Sequence, residues 1–403
     1  TRSGSQFGVH ASLDKIDLAE VTGYADGVVG RLYKGLTGLV AARQITVVAG
    51  EGRLIRGAPV PAVAVGDQVL QGRQLVLATG AASKTLPGVE VDGVRVLSSD
   101  SAIRLQTLPT SAIVLGGGVI GCEFASAWRS FGVEVTVLEA LDRLLPSEEP
   151  ESSAALHRAF RKRGIVVATG VRVESCQTSP EGVRVSLANG STRTADVVLV
   201  AVGRGPASAG LGLPEAGIEL ERGWVVVDER LATGRPGVYA VGDLVAGLQL
   251  AHRGFAHGIF AAEEVAAGAG RLDRPPAPVR DRDIPRVTYS DPEVASVGLG
   301  EEAARAAYGA VETAVYDLTG NGRSQILKTS GFVKLVRVAD GPVVGVHLVG
   351  SRVSELISEA QLITAWEAFP AEVAGLLHPH PTQSEAIGEA HLALAGKPLH
   401  SHH

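Results

Sequence analysis

"SAIVLGGGVIGCEFASAWRSFGVEVTVLEA", residues 111–140, is the stretch on which the fold turns. Ser111 to Leu115 reads as one apolar strand of the kind a parallel sheet covered on both faces requires. Gly116-Gly117-Gly118-Val119-Ile120-Gly121 follows, and helical spacing then runs to about Phe131. A second strand, Val133 to Leu138, ends in an acid, Glu139, 18 residues beyond Gly121. A lone GxGxxG says little in a chain with 50 glycines. Between a buried strand and a helix, with an acid after the next strand, it reads as a dinucleotide fingerprint. Gly116 permits the tight turn, Gly118 lets the backbone approach a pyrophosphate, and Gly121 packs helix on strand. The helix N-terminus adds partial positive charge. Glu139 can accept hydrogen bonds from both adenosine-ribose hydroxyls and would repel a 2′-phosphate, so NAD is expected rather than NADP.

Working outward, a helix near 150–163, a strand in "GIVVATG", a hairpin in "VRVESCQTSPEGVRVSLANG" and a strand in "DVVLVAVG" complete a nucleotide-binding domain over 110–203. Upstream, Leu18, Val21, Val28, Val29, Leu32, Leu36 and Leu39 predict one long helix over 18–42. Short strands are expected in "ITVVAGEGRLI" (45–55), "AVAVG" and "RQLVLATG", and a connector in "SSDSAIRLQTLPTS" (98–111). Downstream, 204–282 turns to loops, "GVYAVGD" and a helix near 254–268. The Pro- and Asp-rich "RLDRPPAPVRDRDIP" reads as a linker. After it, 283–403 alternates strands with helices, and Val353, Leu356, Ile357, Ala360 and Ile363 form an apolar stripe.

At 403 residues several domains are expected. A net charge of −6 and a pI near 6.0 argue against nucleic acid or an anionic membrane as partner. No apolar run reaches the roughly 18 residues of a spanning helix. "TRSGSQFGVH" lacks the apolar core of a secretory signal. Cys122 and Cys176 form neither a CxxC nor a disulfide framework, which points to a reducing, cytoplasmic setting.

Three further motifs are ambiguous alone. "GVYAVGD" ends a strand in Gly-Asp, placing the Asp243 carboxylate over a loop that is either a plain turn or a site for polyol hydroxyls. "LATG" at 77–80 is similar. "LLHPHPTQSEA", 376–386, holds His380 between Pro379 and Pro381 with Glu385 just inside a following helix. Glu385 could bond one ring nitrogen and leave the other as a base, or the turn could be a solvated one without chemistry. His378 and His380 have no third ligand at metal spacing.

In order, GEG at 50–52, ATG at 78–80, GGGVIGCE, AVGRGP, GVYAVGD, LQLAH and HPHPTQSE resemble the pyridine-nucleotide disulfide oxidoreductases, and among them the dihydrolipoamide dehydrogenases, over essentially the whole chain. The resemblance implies an α/β fold with two Rossmann-like nucleotide-binding domains and a C-terminal α+β dimerisation domain. The FAD domain would take 1–109 and 204–282 and be incomplete, with the NAD domain (110–203) inserted and dimerisation assigned to 283–403. It implies FAD neighbours at Gly52, Thr79, Gly80, Ala81, Asp243, Gln249, Leu250, Ala251 and His252. NAD neighbours would be Gly116, Gly117, Gly118, Val119, Ile120, Gly121, Cys122, Glu123, Glu139, Val173 and Gly203. By the same resemblance, His380 takes a proton from a dithiol at the disulfide of a partner subunit and Glu385 orients it. Electrons then pass through disulfide and FAD to NAD⁺. A homodimer serving the lipoyl domain of 2-oxo acid dehydrogenase complexes follows.

The family's first GxGxxG and its CxxxxC redox pair are not among these residues, so the 403 residues alone are expected not to oxidise dihydrolipoamide. A central strand of the FAD sheet would also be missing. Two other readings stay open: a non-catalytic NAD-binding, dimerising module, and a related NADH-dependent flavin reductase.

Overall fold

The computed structural model describes residues 4–400 and has an α/β architecture built on two five-stranded sheets. The first is parallel, in the order Val96–Leu97, Val197–Val200, Ser111–Leu115, Glu134–Leu138, Val166–Ala168. Side chains alternate across a strand, so the unbroken run Ala112–Leu115 must feed two cores. Ala112 and Val114 pack with Trp128, Leu156 and Phe160 of the helices Val119–Phe131 and Pro150–Lys162. Ile113 and Leu115 pack with Val183, Val185 and Leu187 of a three-stranded antiparallel sheet on the other face. Each buried Val, Leu, Ile or Phe among them stabilises by roughly 1.5–3 kcal/mol. The edge strand Val96–Leu97 precedes residue 110, and the expected connector contains a short helix, Ser99–Ala102, capped by Ser98.

The second sheet is antiparallel, in the order Arg286–Thr288, Glu293–Gly298, Val343–Gly350, Phe332–Val338, Val311–Asp317. The helices Ile357–Ala365 and Glu385–Leu394 bury Ile357, Ala360, Ile363, Ala386, Ile387 and Ala390 against it. The stripe expected from Val353 to Ile363 is therefore the packed one. A buried ammonium ties the two sheets together. Lys334 Nζ, on the second sheet, donates to Glu149 and Glu151 beside the first at 2.5 and 2.8 Å, and pairs with Glu301 at 2.9 Å.

The third region differs. Leu75–Leu77 pairs in parallel with Val238–Ala240, and among the described residues the two form a sheet by themselves. A small core of Leu54, Leu77, Leu213, Ile218, Val238 and Leu244 lies beside them. The helix Leu18–Ala42 is capped by Asp17, which accepts from the N–H groups of Ala19 and Glu20. None of its residues is buried, and Leu32, Leu36 and Leu39 are each more than half exposed. The strand expected over 45–55 shrinks to Gly52–Leu54. Ile45 to Ala49 has no partner strand among the described residues, and without a ladder an apolar run does not become a strand. Among the described residues no helix is long and apolar enough to cross a membrane.

Candidate active site

The glycine turn works by close contact. Gly116 has φ +108°, and a Cβ there would lie 2.4 Å from Ala201 O. A Cβ at Gly121 would lie 1.9 Å from Gly116 O. Gly118 is the opposite case: a Cβ there would meet nothing within 4 Å, because the residue borders a cavity of about 720 Å³. Gly118 is also the N-cap of the helix Val119–Phe131 and supplies no side-chain cap, so first-turn N–H groups at Val119 and Ile120 stand at the cavity wall. Glu139 lines the same space. Its carboxylate accepts from Gly117 N at 2.5 Å and Leu141 N at 2.7 Å, with lone pairs left for a ligand.

Val173 and Gly203 line the cavity too, as do Gln249 and Leu250. Gln249 Nε2 is buried without a protein partner, a donor left for something that enters. Gly117, Gly121 and Cys122 instead lie beneath the turn. Cys122 is fully buried and its Sγ donates to Gly117 O. Burial first, then the Glu139 and Glu123 carboxylates, push that thiol well up. Glu123 is not at the cavity wall: it accepts from Tyr289 N at 2.9 Å, and burial raises its carboxyl. An open glycine, free helix N–H groups and a carboxylate with lone pairs to spare together fit NAD.

The parallel pair Leu75–Leu77 and Val238–Ala240 leads into Thr79-Gly80 and Gly242-Asp243, at the carboxyl ends where α/β sheets bind ligands. Thr79 Oγ1 donates to Ala207 O, and Arg204 donates to Ala81 O. Gly242 is pinned from the helix Ala251–Gly268: its N–H donates to His257 Nδ1 at 3.2 Å, and its carbonyl accepts from Arg253. Burial first, then the Arg253 charge, lower the His257 pKa to about 4, so it stays neutral and accepting. Ala251 and His252 are already helical, three residues earlier than expected, and His252 Nε2 lies 2.8 Å from Pro285 O. Gly52 stands apart, in a separate three-stranded sheet. Asp243 follows Gly242 at the carboxyl end of this strand pair, and Gln249 offers its unpartnered Nε2 to the neighbouring cavity.

Far along the chain, His380 Nδ1 lies 2.9 Å from Glu385 Oε1. Glu385 opens the helix Glu385–Leu394, and its second oxygen accepts from Thr382 N at 2.8 Å. Partial burial opposes ionisation, but the Thr382 N–H and the His380 ring hold the carboxyl below its usual value. The His380 side chain is 76% exposed, and in the tautomer whose Nδ1 donates to Glu385 the acceptor is Nε2. His378 has its own acid: Nε2 lies 2.7 Å from Glu359 Oε1. Glu359 lies nineteen positions away, so no local pattern announced that contact.

With this geometry established, similarity to known proteins gives the class. The chain matches the pyridine nucleotide-disulphide oxidoreductases over residues 5–258 and their dimerisation domain over 284–391. It is 38% identical to a dihydrolipoyl dehydrogenase of Bacillus subtilis, over 99% of this chain and 86% of that protein. It is 36% identical to dihydrolipoyl dehydrogenase 3 of Pseudomonas aeruginosa, over 98% and 86%. The crystal structure of LpdA from Mycobacterium tuberculosis superposes with a TM-score of 0.89 at 29% identity, covering 98% of this chain and 86% of that one. The chain belongs to the pyridine nucleotide-disulphide oxidoreductases, NAD-dependent flavoprotein enzymes that use FAD and NAD.

Proposed function

We propose that the chain carries the base, the NAD cleft and the dimer-forming part of a dihydrolipoyl dehydrogenase. The observation that carries this reading is the exposed His380 ring held through Nδ1 by Glu385. Glu385 fixes the tautomer, so Nε2 can take the proton from a dithiol as its thiolate attacks a disulfide. FAD, when bound, relays the electron pair to NAD⁺. Gly116 to Ile120, Glu139, Val173 and Gly203 bind NAD, over the support of Gly121, Cys122 and Glu123. Gly52, Thr79 to Ala81, Asp243 and Gln249 to His252 bound the flavin side. The sheet at 284–391 forms a two-fold dimer, bringing His380 to the partner's disulfide, and a lipoyl domain delivers the substrate in the cytoplasm.

Neither Cys122 nor Cys176 supplies an electron entry. Burial raises the thiols of both, to about 11 for Cys176, and thiols rather than thiolates are poor nucleophiles. These 403 residues alone are therefore an NAD-binding module without lipoamide turnover. The exposed helix Leu18–Ala42 and the two-stranded Leu75–Leu77 sheet favour that second reading for the chain in isolation.

The test has two arms. The product of the whole reading frame should reduce NAD⁺ with dihydrolipoamide, and His380→Gln should cost about 10²- to 10⁴-fold in kcat. The 403 residues, supplied with FAD, should bind NADH in preference to NADPH and show no turnover. Unchanged kcat in His380→Gln would sink the base assignment, and substantial turnover by the isolated chain would sink the second arm.

A further inference from the structure

Among the described residues the His380 ring has one hydrogen bond, the 2.9 Å contact of Nδ1 with Glu385 Oε1, so the imidazole stands where Glu385 puts it. The second oxygen of Glu385 accepts from Thr382 N at 2.8 Å. Thr382 is therefore the residue against which the acid is set. Its hydroxyl bonds stay within the turn: Oγ1 donates to Pro379 O at 2.7 Å and lies 2.8 Å from Ser384 Oγ. Its carbonyl is held from elsewhere. Asn321 Nδ2, 61 positions earlier, donates to Thr382 O at 2.9 Å. The other end of the same amide accepts from Ser324 N at 2.9 Å and from Ser324 Oγ at 3.0 Å, which caps the helix Gly322–Leu327. A donor facing a carbonyl and an acceptor facing an N–H leave the amide one orientation. Asn321 is 3% exposed.

We propose that Asn321 is a positioning residue for the base: it ties Thr382 to the helix Gly322–Leu327 and so sets how Glu385 meets the His380 ring. The inference rests on His380 being the base. A cap needs only a side-chain acceptor, and serine or aspartate serves as well at that position. The Nδ2 donor is the part of Asn321 that a cap does not use, and it goes to Thr382. The short helix also borders the ring itself, since a Cβ at Gly322 would lie 3.7 Å from His380 Cε1, an ordinary contact. A turn that swings off this helix takes Thr382 N with it, and Glu385 can no longer serve Thr382 and His380 together. Proton transfer from a thiol to an imidazole depends steeply on their placement, so a loosened turn slows that step. The nucleotide cavity is lined by other residues and is left as it was.

Two assays of the whole reading-frame product separate this role from a plain structural one. Oxidation of dihydrolipoamide by NAD⁺ needs the base, whereas reduction of ferricyanide by NADH needs no proton from a thiol. Asn321→Ser keeps a cap and is too short to reach Thr382 O. It should lower kcat with dihydrolipoamide about 10- to 100-fold, leave the ferricyanide rate and the KM for NAD⁺ within about twofold, and keep the wild-type urea midpoint. Placed on His380→Gln, it should add no further loss. Asn321→Asp keeps the size and the acceptor but, ionised, lacks the donor; it should give the same pattern of activities, which covers failure of the serine variant to fold. Equal losses in both assays, a dihydrolipoamide kcat near wild type, or a full additional loss on His380→Gln would overturn the positioning role. A large loss in His380→Gln beside a normal Asn321→Ser sinks the positioning alone; unchanged kcat in His380→Gln sinks the base reading and this role with it.

Discussion

The strand Ser111–Leu115 and the helix Leu18–Ala42 are both rich in apolar residues, yet the first buries Ala112 to Leu115 and the second buries nothing. The strand lies between two covering layers, a helix pair and an antiparallel sheet, so each face finds a partner. The helix touches the rest of the described chain through little more than the Thr22 hydroxyl on Leu105 O. Apolar pattern sets the shape a segment takes, but burial needs a second surface. The cavity beside Gly118 is walled by strand ends of the first region, whereas Leu75–Leu77 lies in a sheet of only two described strands.

The sharpest way to break that contrast is at Lys334, whose side chain is 2% exposed and answers the buried Glu149. Lys334→Ala leaves that carboxylate uncompensated between the two sheets and should cost about 3–5 kcal/mol, read as a fall in the urea midpoint. Gly121→Ala drives a methyl into Gly116 O and should cost about 1–3 kcal/mol, with NADH binding lost in fluorescence titration even where the protein stays folded.

A smaller effect is expected at His378, with a definite sign. Its folded pKa is raised, so its contribution to stability is full below the unfolded value near 6.5 and fades as pH rises through the folded value. His378→Gln should therefore lower the urea midpoint at pH 5.5 more than at pH 9, by under about 1 kcal/mol; a larger gap at pH 9 would contradict the Glu359 pairing. Least of all, Leu36→Ser in the uncovered helix should change stability within about 0.5 kcal/mol. A loss of 2 kcal/mol or more there would mean that something covers this helix in solution.

Much of the site was legible because it depends on short-range chemistry. The glycine turn, its helix and the acid after the next strand lie within thirty residues, and the physics of the turn fixes their spacing. His380 and Glu385 are five positions apart, a reach that the start of a helix provides. Glu123 was legible as a helix residue but not as a partner of Tyr289, 166 positions away. Strands over 45–55 were overread because an apolar run carries no information about whether a neighbour is present to complete the ladder.

From the chain of letters alone came the βαβ turn, the acid after its second strand and the histidine–acid pair, since each follows from local sterics and hydrogen-bonding reach. Only the tertiary structure decided that Gln249 borders the nucleotide cavity, that Lys334 pins one sheet to the other, and that His378 is held by Glu359. Those contacts join segments far apart in the sequence, and their existence depends on how whole layers pack.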